Sequence, residues 1–125
     1  MPQTSTQPFA DFSCQRLLIV RIHEKTIKER GSLYEAARRF WAVSPDRAED
    51  RPVLAMSLED RTILEAYNVD DWHVIKSKTT KNGSIRHYYE FDGKPADAES
   101  WLGKLVGKRV LPEYEKGQAV FRYVN

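Results

Sequence analysis

One cysteine, Cys14, stands in a chain of 125 residues. No disulfide can form within such a chain, so packing must stabilise it, which fits a reducing, cytoplasmic setting. No apolar run approaches the ~20 residues that a membrane-spanning helix needs, and Met1–Ser13 has neither the basic start nor the apolar centre of a secretory signal. A membrane partner is therefore not expected. His23, His73 and His87 sit at no recognised metal spacing, and each reads as structural. There is no phosphate-cradling glycine loop, nucleophile elbow or dinucleotide fingerprint. A metal-dependent nuclease would gather carboxylates such as Glu59, Glu65, Asp70 and Asp71 around Mg²⁺. It would also place a lysine just after a strand acid, and Glu65-Ala66-Tyr67 has none. No catalytic residue, metal ligand or cofactor is assigned on these grounds.

What the chain does have is 41% hydrophobic and 30% charged residues, the composition of a soluble globular domain. Residues 1–14, rich in Gln, Thr, Ser and Pro, read as a flexible leader, and residues 15–125 as one domain. The net charge of +2 is small but unevenly spread. Lys25–Arg39 carries a net +3, Lys76–Tyr88 a net +4 with no acid, and Pro52–Ile75 between them a net −4. Two basic stretches that met in space would form one cationic face suited to a phosphate backbone. The sequence leaves open whether they meet or whether Lys76–Arg86 is an ordinary solvated loop.

The apolar run Leu17–Ile22 predicts a buried strand. Gly31 closes the charged segment Glu24–Arg30, and Ser32 with Glu35 three residues later forms a capping box. Helical spacing from there gathers Leu33, Ala36, Ala37 and Phe40 within roughly 100° of arc, with Tyr34, Arg38 and Trp41 along one border. The helix is expected to run to Trp41. Ser44-Pro45 predicts a second, short helix. Pro52–Leu58 and Thr62–Val69, separated by three residues, predict a hairpin whose second strand extends toward Trp72. Lys76–Lys81 reads as a basic loop ending at the turn Asn82-Gly83. Ile85–Phe91 follows as a strand, with Ile85, His87, Tyr89 and Phe91 on one face and Arg86, Tyr88 and Glu90 on the other. Asp92-Gly93 reads as a further turn, Asp97–Val106 as helical, and Lys108–Leu111 and Ala119–Val124 as closing strands. No internal repeat or βαβ alternation is present. The expected class is α+β, with a small mixed or mostly antiparallel curved sheet forming a pseudo-barrel and two or three short helices.

Several segments together resemble a small prokaryotic domain found in proteins that carry a GIY-YIG nuclease domain. They are Leu33–Trp41, Ser44–Ala48, Val53-Leu54-Ala55, Ile63–Trp72, Glu90–Ala96, Val106–Val110 and Arg122–Asn125, so the similarity spans roughly Gln15–Asn125. By analogy it extends to PUA-like domains of the ASCH and EVE type, which read RNA or modified bases. Carried over by position, the resemblance singles out Arg38, Trp41 and Trp72. Arg39 departs from it where a small residue is expected, and the nuclease portion itself is missing.

Basic and aromatic groups side by side point to nucleic-acid binding. The expected site is an aromatic and basic pocket of Tyr34, Arg38, Trp41 and Trp72 holding a modified or flipped base, with Lys76, Lys78, Lys81 and Arg86 on phosphates. The partner would be RNA or DNA. The alternative is a protein-interaction module or subunit, including a homo-oligomer, in which exposed aromatics meet another chain.

Overall fold

The computed structural model describes residues 9–12, 15–112 and 120–125, except for the side chain of Phe40. Cys14, most of the expected leader and the Ala119 start of the last expected strand lie outside the described residues. The elements are β1 (Leu17–Ile22), α1 (Glu24–Arg30), α2 (Leu33–Ala37), β2 (Arg39–Trp41), α3 (Pro45–Ala48), β3 (Val53–Ser57), β4 (Ile63–Thr79), β5 (Ile85–Pro95) and β6 (Phe121–Val124), with a 3₁₀ turn at Gly103–Leu105. Six strands form one mixed sheet in the order β2-β5-β4-β3-β1-β6, with β2 and β6 at its edges. Among the described strands, the one parallel pair is β1 with β3. That pair needs a long crossover connection, which α1, α2, β2 and α3 supply. The class is α+β, as expected. Among the described residues no helix is long and apolar enough to cross a membrane.

Alternating side chains of β1 and β3 build a core on each face of the sheet. Leu17, Ile19, Leu54, Met56 and Ile63 pack with Leu102, Leu105, Val110 and Val124 on one side. Ala10 and Phe12 join that cluster, so this part of the expected leader belongs to the fold. Leu18, Val20, Ile22, Val53 and Ala55 pack with Ala36, Ala37, Trp41, Tyr67 and Phe91 on the other. Arg51 is buried at 5% exposure. Its guanidinium donates to the carbonyls of Leu17 (2.9 Å), Val124 (2.7 Å) and Asn125 (3.2 Å), and its Nε donates to Arg47 (2.7 Å). Charge-assisted bonds of this kind tie the start of β1 and the end of β6 to α3.

Four expectations change. The capped helix begins at Leu33, with Ser32 Oγ accepting from the Glu35 amide at 3.1 Å, but it ends at Ala37. Arg39–Trp41 instead pairs with β5, Arg39 opposite Glu90 and Trp41 opposite Tyr89. An unpaired edge of β5 and two aromatic residues override helical spacing there. Second, β4 runs on to Thr79, so Lys76–Thr79 is strand rather than loop, and the turn follows at residues 81–83 with Gly83 at φ +89°. Third, Asp92-Gly93 lies inside β5 rather than in a turn. Gly93 is there because the chains approach closely: a Cβ would sit 2.4 Å from the Asn68 carbonyl oxygen. Fourth, Asp97–Val106 holds only the 3₁₀ turn, and Lys108–Leu111 contributes two isolated bridges at Arg109, to Phe9 and to Thr62, rather than a strand.

Gly93→Ala should therefore lower the unfolding free energy by about 1–3 kcal/mol, as over-packing against rigid backbone does. Lys94→Ala, at an exposed neighbour, should be close to neutral. Urea denaturation of the two variants checks this.

Candidate functional site

The β4–β5 ladder divides into two parts. Near its base, Tyr67, Trp72 and Phe91 face the core, with Phe91 5.7 Å from Tyr67 and 5.3 Å from Trp72 between ring centres. Beyond Tyr89, where β2 ends its pairing, β4 and β5 continue as a two-stranded arm to the turn at residues 81–83.

Two bulges in β4 decide which side chains share a face of this arm. The register passes from Val69 opposite Gly93 to Asp71 opposite Asp92, and from Val74 opposite Tyr89 to Lys76 opposite Tyr88, so Asp70 and Ile75 are the extra residues. Were Ile75 in regular alternation rather than bulged, Lys76 and Lys78 would lie on the face opposite His73. With it, four successive cross-strand pairs line one face: Asp71 with Asp92, His73 with Glu90, Lys76 with Tyr88, and Lys78 with Arg86. The strip extends about 20 Å at the strand rise of 3.4 Å per residue. It is acidic at its base and cationic toward the tip, where Lys81 is also exposed.

The tip cations are unneutralised. Among the described residues, Lys76, Lys78, Lys81 and Arg86 make no ion pair. Lys78 directly faces Arg86, a like-charge cross-strand pairing that disfavours the folded strand pair.

The base is a dense ionic network. His73 Nε2 lies 2.8 Å from Glu90 Oε2. Glu90 also lies 3.4 Å from an Arg38 nitrogen and 3.5 Å from Arg39 Nε. Arg38 further binds Asp92, reaches Glu35 at 3.6 Å and donates through Nε to the Phe91 carbonyl at 3.0 Å. Burial alone would lower the Arg38 pKa, but Glu90, Tyr34, Asp92 and Glu35 together outweigh it and the pKa is raised. Arg39 pairs with Glu35 at 2.5 Å.

The residues expected to form an aromatic pocket are placed separately. The Arg38 side chain is 12% exposed and committed to carboxylates. Tyr34 packs against Tyr67 and Phe91, and its hydroxyl accepts from the Gly93 amide at 3.1 Å. Trp41 is 8% exposed, and its indole N–H donates at 2.7 Å to the Ala37 carbonyl, which the end of α2 would otherwise leave unpaired. Trp72 is half-buried and borders a cavity of about 270 Å³ edged by Asp46, Glu49, Asp70 and Asp71. Trp41 borders a different cavity of about 170 Å³, beside Arg21, Arg30 and Arg39. In that second cavity burial, and then Arg39, lower the Arg30 pKa. The two indoles thus border different cavities. The two basic stretches do adjoin, since Arg39 faces Glu90 two residues along β5 from Tyr88 and Lys76, but carboxylates neutralise Arg38 and Arg39 at the join.

Residue-by-residue reading of the sequence missed the grouping of Asp71, His73, Glu90 and Asp92. Strict pairing of β4 and β5 outward from Asn82-Gly83 would set His73 opposite Phe91, so the group forms only through the register shifts at Ile75 and Asp70.

Arg38→Ala should lower the unfolding free energy by about 2–4 kcal/mol, because Glu35, Glu90 and Asp92 would lose a shared, largely buried counter-charge. A melting temperature within a degree of the parent's would contradict this structural role. No protein-family model, curated protein or solved structure matches the chain.

Proposed function

We propose that the chain binds nucleic acid through the cationic face of the β4–β5 arm, with Lys76, Lys78 and Arg86 on phosphates, Lys81 assisting at the tip and Tyr88 within the same face. The observation that carries this reading is the register, in which Lys78 faces Arg86 and Lys76 faces Tyr88 on a ribbon that no third strand covers among the described residues. Like charges held opposite each other without neutralisation weaken a strand pair. A polyanion that bridges them removes that repulsion and releases counterions of its own. A two-stranded ribbon fits the major groove of B-form DNA, whereas side chains cannot read the deep, narrow major groove of A-form RNA. Duplex DNA is accordingly the preferred form of the ligand.

A modified or flipped base would need an open aromatic pocket, and the buried Trp41 and the acid-edged Trp72 cavity do not favour one. Phosphate contact along the arm thus carries more of the reading than the PUA-like analogy and its pseudo-barrel. A second reading, a protein partner or a second copy of the chain, is supported by the reverse face of the arm, where Val74 is 51% and Ile85 64% exposed.

Fluorescence anisotropy with a labelled DNA duplex, an RNA duplex and a single strand, titrated at several salt concentrations, tests the reading. Log affinity should fall with log salt with a slope of about −3 for DNA, and Lys78→Ala should reduce the magnitude of that slope by about 1. Lys78→Glu should remove binding while raising stability by a few tenths of a kcal/mol, since an opposite-charge pair then replaces a like-charge one. Unchanged affinity in Lys78→Glu refutes the arm as the interface. A salt-insensitive dimer in light scattering, lost in Ile85→Lys, would favour the second reading.

A further inference from the structure

We infer that the base of the arm is a binding site for one divalent transition-metal ion, with His73 Nδ1, Asp92 and Asp71 as ligands and Glu90 orienting the imidazole. The inference is independent of nucleic-acid binding. It begins from the register, which sets Asp71 directly opposite Asp92 and His73 opposite Glu90 on the same face. Two carboxylates facing each other across a strand pair repel unless a cation lies between them.

The imidazole supplies the direction. A carboxylate only accepts hydrogen bonds, so the 2.8 Å contact between His73 Nε2 and Glu90 Oε2 places the ring hydrogen on Nε2. In the neutral ring the lone pair then lies on Nδ1. Asp92 Oδ2 at 3.7 Å and Asp71 Oδ2 at 3.9 Å are the groups that face Nδ1. Acceptor atoms with no donor among them converge there, and a shared cation is what makes such an arrangement favourable. At those separations small rotamer changes bring Nδ1 and the two aspartate oxygens onto one ion, and ligand atoms of His73, Asp92 and the orienting Glu90 all lie within 4.8 Å of one another. Arg38 engages Asp92 through Oδ1 and leaves Oδ2 for the metal.

A carboxylate holding the distal nitrogen of a ligating histidine is a recurrent outer-shell arrangement, fixing the tautomer and making the ligating nitrogen more basic. Glu90, in turn positioned by Arg38 and Arg39, fills that place. Formal charge agrees. Among the described residues Glu35, Glu90 and Asp92 pair with Arg38 and Arg39, and Asp71 pairs with His73, so with the imidazole neutral two negative charges are left for a divalent ion to balance. The Asp71, Asp92 and His73 side chains are 72%, 52% and 39% exposed, open enough for an ion to enter and for water to complete its shell. One imidazole with two carboxylates suits Zn²⁺ or Mn²⁺ better than the all-oxygen preference of Ca²⁺ or Mg²⁺.

The test is isothermal titration of the untagged, chelator-stripped full chain with ZnCl₂ and with MnCl₂, with the visible absorption of a Co²⁺ titration as a second readout. One equivalent should bind, with a d–d band that His73→Ala abolishes. His73→Ala and Asp92→Asn should each weaken binding at least about tenfold, and Glu90→Gln by about 10–100-fold. The exposed Asp71→Asn should weaken it while leaving the circular-dichroism melt unchanged, which separates a lost ligand from a lost fold. Asp70→Asn, at the bulge residue outside the pair, should bind like the parent. Absence of saturable binding in the parent, or equal affinity in the parent, Asp71→Asn and His73→Ala, overturns the site and leaves a protonated imidazole as the cation that Asp71 and Asp92 share.

Discussion

Backbone pairing between β4 and β5 is the constraint from which the rest of this molecule follows. At one end the ladder carries Tyr67, Trp72 and Phe91 into the core. At the other it holds four polar and charged side chains of one face, Lys76 with Tyr88 and Lys78 with Arg86, outside any core. Hydrophobic burial anchors the first half, and the second half persists because it continues a ladder already paid for by the first. An isolated hairpin with Lys78 against Arg86 would be marginal in water, whereas one rooted in a six-stranded sheet inherits register and twist from its base.

The same chemistry serves opposite ends in the two basic stretches. Arg38 and Arg39 lie where the chain leaves α2 and meets the edge of β5, and Glu35, Glu90 and Asp92 are within reach, so their charges organise the join between helix and sheet. Lys76, Lys78 and Arg86 lie further out on the strand that carries Glu90, or on its partner, and the nearest acids are spent on the arginines and His73. Position along one ribbon, rather than residue type, separates a structural cation from one available to a ligand.

Local rules made much of this architecture legible. The branched run Leu17–Ile22, the Ser32 cap, Ser44-Pro45 before α3 and the pairing of residues 53–57 with 63–67 all appear where spacing puts them. So does the alternation Ile85, His87, Tyr89, Phe91, whose Phe91 end is buried. What local rules misjudge depends on distant partners. Trp41 fits a helical stripe as well as it fits a strand, and only the open edge of β5 decides between them. Lys76–Thr79 carries the composition of a loop but is held as strand by Ile85–Tyr88. Arg51 gives no local sign of burial, since three of the four carbonyls it binds belong to the distant residues 17, 124 and 125. The grouping of Asp71 and His73 with Glu90 and Asp92 depends on a register that shifts at Asp70 and again at Ile75, and no spacing along either segment alone encodes such shifts.

Those shifts also govern how the protein can change its reach. Outward of Ile75 the two strands alternate without interruption to the turn, and every second residue faces the same way. Lengthening or trimming the projection by two residues on each side would move its end by about 7 Å and leave every remaining side chain on its present face. A change of one residue would invert the whole outer portion. Span can therefore drift in even steps while the hub beneath stays as it is, whereas odd steps are closed to it unless a further irregularity arises to restore the phase.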